Sequence, residues 1–152
     1  MRSVLMLMLL LLAPNVYARD GGGIDRPHVC GEMSPGPRLD KCQNWISTLQ
    51  RPDRLGSCCG DGDSFITDVF ETDAAGELWA IITADYPDQT FTDEEGNTVT
   101  APATIHKGSR IHIPHDAINH AAEDANNTSG HGVVFLRPSD QSVLCYNFPP
   151  LT

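Results

Sequence analysis

The hydrophobic and polar positions of the chain follow a helical period before residue 57. Four apolar residues recur with the spacing of one helix face: Cys42, Trp45, Ile46 and Leu49. Asp40 precedes them and is a suitable N-cap, whereas Pro52 cannot continue a helix. The pattern therefore predicts a helix over residues 41–50, with Trp45 in the core.

After residue 63 the period changes to the alternation that is typical of strands. Two segments rich in Phe, Ile, Val and Trp, residues 64–71 and 77–84, flank the turn signal Asp73-Ala74-Ala75-Gly76 and predict a β-hairpin. In a later strand, Ile111 and Ile113 are expected to face inward. The pattern predicts further strands over residues 90–92, 98–101, 110–113, 133–136 and 142–147.

Residues 114–125 carry a thin apolar stripe, largely of alanines, and Pro114 suits a first helical turn. We therefore expect a second helix there. The fold class that these elements favour is mainly β. It is a small antiparallel sheet or a partly open SH3-like barrel with one or two short helices, stapled by disulfides. The alternative is a two-layer α+β arrangement with the helix on one face of the sheet.

The amino terminus has the pattern of a secretory signal peptide. Arg2 precedes an unbroken apolar run from Val4 to Leu12, and Val16-Tyr17-Ala18 offers small residues for cleavage. The run is too short to span a bilayer, so we expect no membrane insertion after cleavage. The expected organisation is a signal peptide (1–18), an extended Gly/Pro-rich arm (19–37) and a single β-rich domain (38–152). The expected location is secreted or periplasmic.

Export changes the interpretation of the cysteines, because disulfides are the default in an oxidising compartment. Five cysteines follow the leader: Cys30, Cys42, Cys58, Cys59 and Cys145. A Cys58–Cys59 bond is disfavoured, since neighbouring Cα atoms lie closer than an ordinary disulfide requires. We expect Cys145 to pair with one of these neighbours, and Cys42 to pair with Cys30 or with the other neighbour. The odd number leaves one thiol outside intrachain bridges.

Charge narrows the classes of partner. The formal net charge is −10, from 20 acidic and 10 basic residues, and no cluster of Lys and Arg occurs. Such a chain repels the backbone of nucleic acid and an anionic membrane surface. We expect no nucleic-acid partner and instead an envelope protein or a small ligand.

Three short stretches resemble small secreted proteins of alphaproteobacteria: Ser57-Cys58-Cys59-Gly60, Gly130-His131-Gly132 and Cys145-Tyr146. The resemblance covers residues 44–150. It implies a bacterial periplasmic or secreted setting. It brings no catalytic residue with it.

Histidines offer the candidate chemistry, since five of the six lie between residues 106 and 131 and imidazole is a common metal ligand. On a helix over residues 114–125, Asp116, His120 and Asp124 would share one face. The candidate ligands for Zn or Cu are side chains of this helix and of the adjoining strand ends: His112, His120, His131 and Asp116. A solvated helix face is the plainer interpretation, because no diagnostic ligand spacing occurs.

No motif of a hydrolase or of another nucleophilic enzyme stands out in the chain, and we assign no catalytic residue. The sequence therefore favours a secreted or periplasmic non-catalytic domain, without a cofactor, that binds a partner or ligand in the cell envelope. The alternative function is divalent-metal binding by the His/Asp cluster at residues 106–131.

Overall fold

The fold is mainly β, as the sequence predicts. The computed structural model describes residues 29–30, 33, 35–86, 88–92, 96–101, 105–119 and 126–150. All strand pairs within them are antiparallel. The elements are α1 (Pro37–Thr48), α2 (Cys58–Asp61), β1 (Asp63–Ile66), β2 (Val69–Thr72), β3 (Leu78–Ile81), β4 (Gln89–Thr92), β5 (Thr98–Ala101), β6 (Arg110–Ile113), a 3-10 helix (His115–Ala117), β7 (Val133–Leu136) and β8 (Val143–Asn147).

The strands form two small sheets and a separate hairpin. The central sheet has the strand order β1-β7-β8, the outer sheet has the order β2-β3-β6, and β4 pairs with β5. Among the described residues each sheet ends in edge strands, so no closed SH3-like barrel is formed. The prediction of small antiparallel sheets with short helices is confirmed.

The central sheet is covered by apolar side chains on both faces. Residues of α1 and α2, including Trp45 and Cys58, pack on the face that carries Phe135. Leu78 and Ile113 of the outer sheet belong to the cluster on the other face. The helices, the central sheet and the outer sheet therefore make three layers rather than the two of the α+β alternative. Burial on both faces explains why β7 is an unbroken apolar run instead of an alternating one.

Helix α1 begins at Pro37, four residues before the predicted start at residue 41. Proline suits the first helical position, since the backbone N–H that it lacks would have no intrahelical partner there. Asp40 is not the N-cap, because its own N–H already donates to the Gly36 carbonyl oxygen at 3.1 Å. Trp45 and Ile46 are buried, as the apolar stripe predicts.

The predicted strand over residues 64–71 is wrong as one continuous element. It breaks after Ile66 into β1 and β2, which belong to different sheets. At the break, the Thr67 N–H donates to the Gly132 carbonyl oxygen, and the Asp68 N–H donates to the Thr83 side chain. Only β2 forms the expected hairpin with β3, whereas β1 pairs with β7.

The predicted helix over residues 114–125 is wrong where the structure describes it. Only a 3-10 turn forms, because Ile118 takes an extended conformation and makes a bridge to Tyr146. Asn119 then donates its backbone N–H to the Tyr146 carbonyl oxygen at 2.9 Å. Pairing with β8 has replaced the helix, and residues 120–125 lie outside the described part of the chain.

Two disulfides tie the helices to the rest of the chain. Cys30 bonds to Cys42 of α1, and Cys58 of α2 bonds to Cys145 of β8. The predicted pairing of Cys145 with one of the two neighbouring cysteines is confirmed. Cys59 is a buried thiol outside both bridges.

The turn between β2 and β3 is built on Asp73. Its carboxylate accepts hydrogen bonds from the Ala75 and Glu77 N–H groups and from the Trp79 indole. The bond from Trp79, supported by the two backbone bonds, holds the pKa of Asp73 below its ordinary value of 3.8. The ionised carboxylate is therefore the form that stabilises the hairpin.

We expect an Asp73→Asn variant to lose part of the pH dependence of stability in acid. A carboxyl whose pKa is lower in the folded state contributes fully above its unfolded pKa. That contribution disappears as the pH falls through the folded pKa. The free energy of unfolding in urea, measured from about pH 5 to pH 2, should decline less steeply in the variant. Asp85→Asn is the matched control, since that exposed carboxylate pairs across the surface with Lys107 at 3.8 Å. Equal slopes in the parent and Asp73→Asn would contradict the expectation.

Candidate functional site

Two of the histidines proposed as metal ligands, His112 and His131, bond to different carboxylates. His112 on β6 places Nε2 2.8 Å from Glu77 Oε2, and His131 places Nδ1 3.0 Å from Asp68 Oδ2. Asp116 is exposed in the 3-10 helix, and His120 lies outside the described residues. Within the described residues, no three His, Cys, Asp or Glu side chains come close enough to hold a metal ion. The metal interpretation stays a prediction.

The loop before β7 orients His131 through bonds to its neighbours. Asn127 Nδ2 donates to the carbonyl oxygens of His131 at 2.7 Å and of Phe148 at 3.2 Å. Ser129 Oγ donates to Asn127 Oδ1 at 2.6 Å, and its other bonds go to the His131 backbone rather than the imidazole. Gly132 follows, where a Cβ atom would lie 2.5 Å from the Thr67 carbonyl oxygen. The network is a structural brace for this loop.

An open groove of about 500 Å³ lies between the segment after α1 and the β7–β8 turn. Its arginines already have acidic partners: Arg51 pairs with Asp53, and Arg137 lies 3.6 Å from Asp140. The groove therefore presents no uncompensated arginine to a ligand. Its lining includes Arg51, His115, Asp116, Ile118, Arg137 and Leu144.

All four residues of β2, at one edge of the outer sheet, are exposed. Val69 is 52% exposed and Phe70 is 46% exposed. Leu55 is the third large apolar side chain with such exposure in the described part of the chain, and it lies in a loop. Adjacent apolar residues in a strand point to opposite faces, so β2 presents apolar surface on both sides. We regard this edge as the candidate functional site.

The ladder between β2 and β3 determines which backbone groups of β2 remain unpaired. Antiparallel residue pairs alternate between those that exchange two backbone hydrogen bonds and those that exchange none. The Asp73 N–H donates to the Glu77 carbonyl oxygen at 3.0 Å, and this bond sets the phase of the alternation. The N–H and C=O groups of Phe70 and Thr72 therefore point away from β3, and no described residue bonds to them. The bonded pairs are Asp73 with Glu77, Glu71 with Trp79, and Val69 with Ile81.

Both ends of β2 are held by side-chain hydrogen bonds. At the start, Asp68 Oδ1 accepts the Gly132 N–H at 3.1 Å, and the Asp68 N–H reaches Thr83 Oγ1 at 3.2 Å. At the other end, Asp73 closes the turn. The unpaired edge is therefore an extended strand whose conformation is set before anything binds to it.

The two faces of β2 differ in chemistry. Phe70 packs edge-on against Phe148, and Phe148 in turn packs against Tyr146, with ring centroids 5.1 and 5.0 Å apart. On the opposite face, Glu71 pairs with Arg110, whose guanidinium lies 4.6 Å from the centroid of the Trp79 ring. One face is therefore aromatic, and the other carries the Glu71–Arg110 pair beside the exposed side chain of Val69.

No known family, no curated protein and no solved structure matches this chain. The resemblance to small secreted alphaproteobacterial proteins therefore stays a prediction. None of the helices in the described residues is long and apolar enough to cross a membrane.

The sequence contains an indication of the β2 edge that the predicted strand over residues 64–71 does not take into account. Val69 and Phe70 are adjacent apolar residues, so a strand can bury both only if both of its faces are covered. The covered strands β1, β7 and β8 meet this condition, and β2 does not. Asp68, immediately before the pair, was the only local indication that the chain leaves the core there.

Proposed function

We propose that this protein is an exported, non-catalytic binding protein that holds an extended segment of a partner protein against the edge of β2. The observation that carries the proposal is that the backbone groups of Phe70 and Thr72 bond to no described residue, in a strand that also exposes Val69. An extended peptide adds to such an edge through main-chain hydrogen bonds, and alternate side chains supply specificity.

The leader at residues 1–18 supports export to a secreted or periplasmic location. The two disulfides agree with an oxidising compartment, where such bonds persist. The partner would then be a protein of the cell envelope that presents an extended or disordered segment.

Hydrogen exchange tests the open edge without any partner. In the isolated protein, we expect the amide protons of Phe70 and Thr72 to exchange at nearly unprotected rates. The amide protons of Val69 and Glu71 should be protected by at least about tenfold, because they bond to β3. Residue-resolved exchange by NMR measures all four. Strong protection of Phe70 and Thr72 in a monomeric sample would show that the edge is already occupied.

Photocrosslinking in the cells that make the protein tests occupation of the edge. A photoreactive phenylalanine analogue would replace Phe70 in the full chain, with the same analogue at Leu55 as the surface control. We expect discrete crosslinked products from the analogue at residue 70. None of these products should form from the analogue at residue 55. Identical products from both positions would contradict the proposal.

A matched pair of variants then tests the backbone contact. Thr72→Pro removes an N–H that makes no bond to β3, so the strand should persist, as proline is tolerated at sheet edges. Thr72→Ala keeps that N–H. The crosslinks from residue 70 should be lost with proline and kept with alanine, while circular dichroism shows both variants folded.

A further inference from the structure

The structure assigns a partner class to this edge: an extended segment in which basic residues alternate with apolar ones. This inference rests on the proposed function, because it names what the β2 edge would take. It follows from the charge around β2 and from the difference between the two faces of the strand.

The surroundings of β2 carry excess negative charge. Among the described residues, four carboxylates lie on or beside the hairpin, together with the positive charge of Arg110, which is paired with Glu71. The two neighbouring imidazoles, of His112 and His131, are each bonded to one of these carboxylates. A basic segment is therefore attracted, and an acidic one is repelled. The carboxylates are those of Asp68, Glu71, Asp73 and Glu77.

The two faces of β2 specify the alternation. Side chains of an added strand point alternately to the two faces of the sheet. Those on the face of Phe70 would cover the exposed part of its ring and lie next to Phe148, so apolar residues fit there. Those on the opposite face would lie beside Val69 and Glu71, and next to Glu71 a Lys or Arg makes a favourable cross-strand pair.

Charge opposes the addition of a second copy of this chain to the edge. In the antiparallel register that pairs Phe70 of one copy with Thr72 of the other, the two Glu71 side chains stand directly opposite. Like charges in that position are destabilising. Each copy also carries a formal charge of −10, which opposes association of two copies in general.

Three peptides test the inference by NMR titration of the full mature chain. The probe is an amidated hexapeptide of alternating Lys and Val. The first control replaces each Lys with Glu. The second control is the Lys/Val peptide with N-methyl groups on those backbone nitrogens that would pair with β2. We expect the Lys/Val peptide to protect the Phe70 and Thr72 amide protons and to bind at least about tenfold more tightly than either control. Glu71→Gln should weaken the Lys/Val peptide by about threefold and leave the fold unchanged.

Each outcome separates the partner class from the proposed function. If the Glu/Val peptide binds equally well and protects the same amides, the inferred charge preference is wrong and the binding edge stands. If the N-methylated peptide binds as tightly as its parent, without protection, binding is by charge alone and strand addition is wrong. Absence of binding of the Lys/Val peptide at about 1 mM overturns the partner class. Dimerisation in sedimentation, with the same amides protected in the absence of peptide, would assign the edge to a second copy.

Discussion

Removing the Cys58–Cys145 disulfide is expected to lower the free energy of unfolding by about 4–5 kcal/mol. The bond joins residues separated by 87 positions, so in the unfolded chain it closes a very long loop. Chain entropy makes such a bond more stabilising than one that closes a short loop. Because the loss is comparable to the total stability of a small domain, the variant should be marginally folded.

The Cys30–Cys42 bond provides the matched control, since its residues are separated by only 12 positions. The double variants Cys58→Ala/Cys145→Ala and Cys30→Ala/Cys42→Ala would be unfolded in urea beside the parent protein. The second should lose about 3 kcal/mol, less than the first. Equal losses would show that loop length does not determine what these bonds contribute, and that local packing does.

Phe135→Ala is expected to destabilise the protein by about 3–5 kcal/mol. Phe135 is fully buried at the centre of β7, the middle strand of the central sheet. The helical layer covers its side chain, and β1 and β8 flank it, so the cavity left by the ring has little freedom to collapse. The loss of stability should therefore lie at the upper end of the range expected for the loss of a phenyl ring.

Phe70→Ala is the matched control for this substitution, because it removes the same ring from a position that is 46% exposed. Its cost should be about 1 kcal/mol or less, since much of the ring already contacts solvent. Chemical denaturation gives both losses of stability when the free energy of unfolding of each protein is fitted with the same dependence on denaturant concentration. A loss at Phe70 as large as that at Phe135 would mean that the ring contact with Phe148 supports the core. It would also argue against a surface available for binding.

Local periodicity was sufficient for elements whose surroundings are uniform along their length. The stripe of Cys42, Trp45 and Ile46 predicted α1, and the apolar runs at 133–136 and 142–147 predicted β7 and β8. Each of these segments keeps the same surroundings along its whole length, so the order of its apolar and polar residues reflects those surroundings directly.

Contacts distant in sequence decided the elements that local pattern did not predict. The break between β1 and β2 depends on hydrogen bonds of Thr67 to Gly132 and of Asp68 to Thr83. The helix expected after Pro114 gives way to a bridge from Ile118 to Tyr146, 28 residues further along the chain. No window of neighbouring residues contains these partners, and tertiary pairing overrides a thin alanine stripe.

The candidate site was predictable only in part, for the same reason. The histidines were predicted as metal ligands because they are close in sequence. In the structure, His112 bonds to Glu77 and His131 bonds to Asp68. The β2 edge depends on which strand lies last in a sheet, and strand order is a property of the whole fold. The excess of negative charge, by contrast, was visible in composition and now narrows the proposed partner.

The bond between α2 and β8 imposes a sequence of events on biogenesis. Cys42 lies 12 residues after Cys30 and can be oxidised with it as soon as the first helix emerges, whereas Cys145 follows Cys58 only after 87 residues. Until then Cys58 and Cys59 are adjacent thiols that compete for one late partner, and joining Cys145 to Cys59 would give a mispaired isomer. We therefore expect a catalyst of thiol–disulfide exchange to raise the yield of the native isomer.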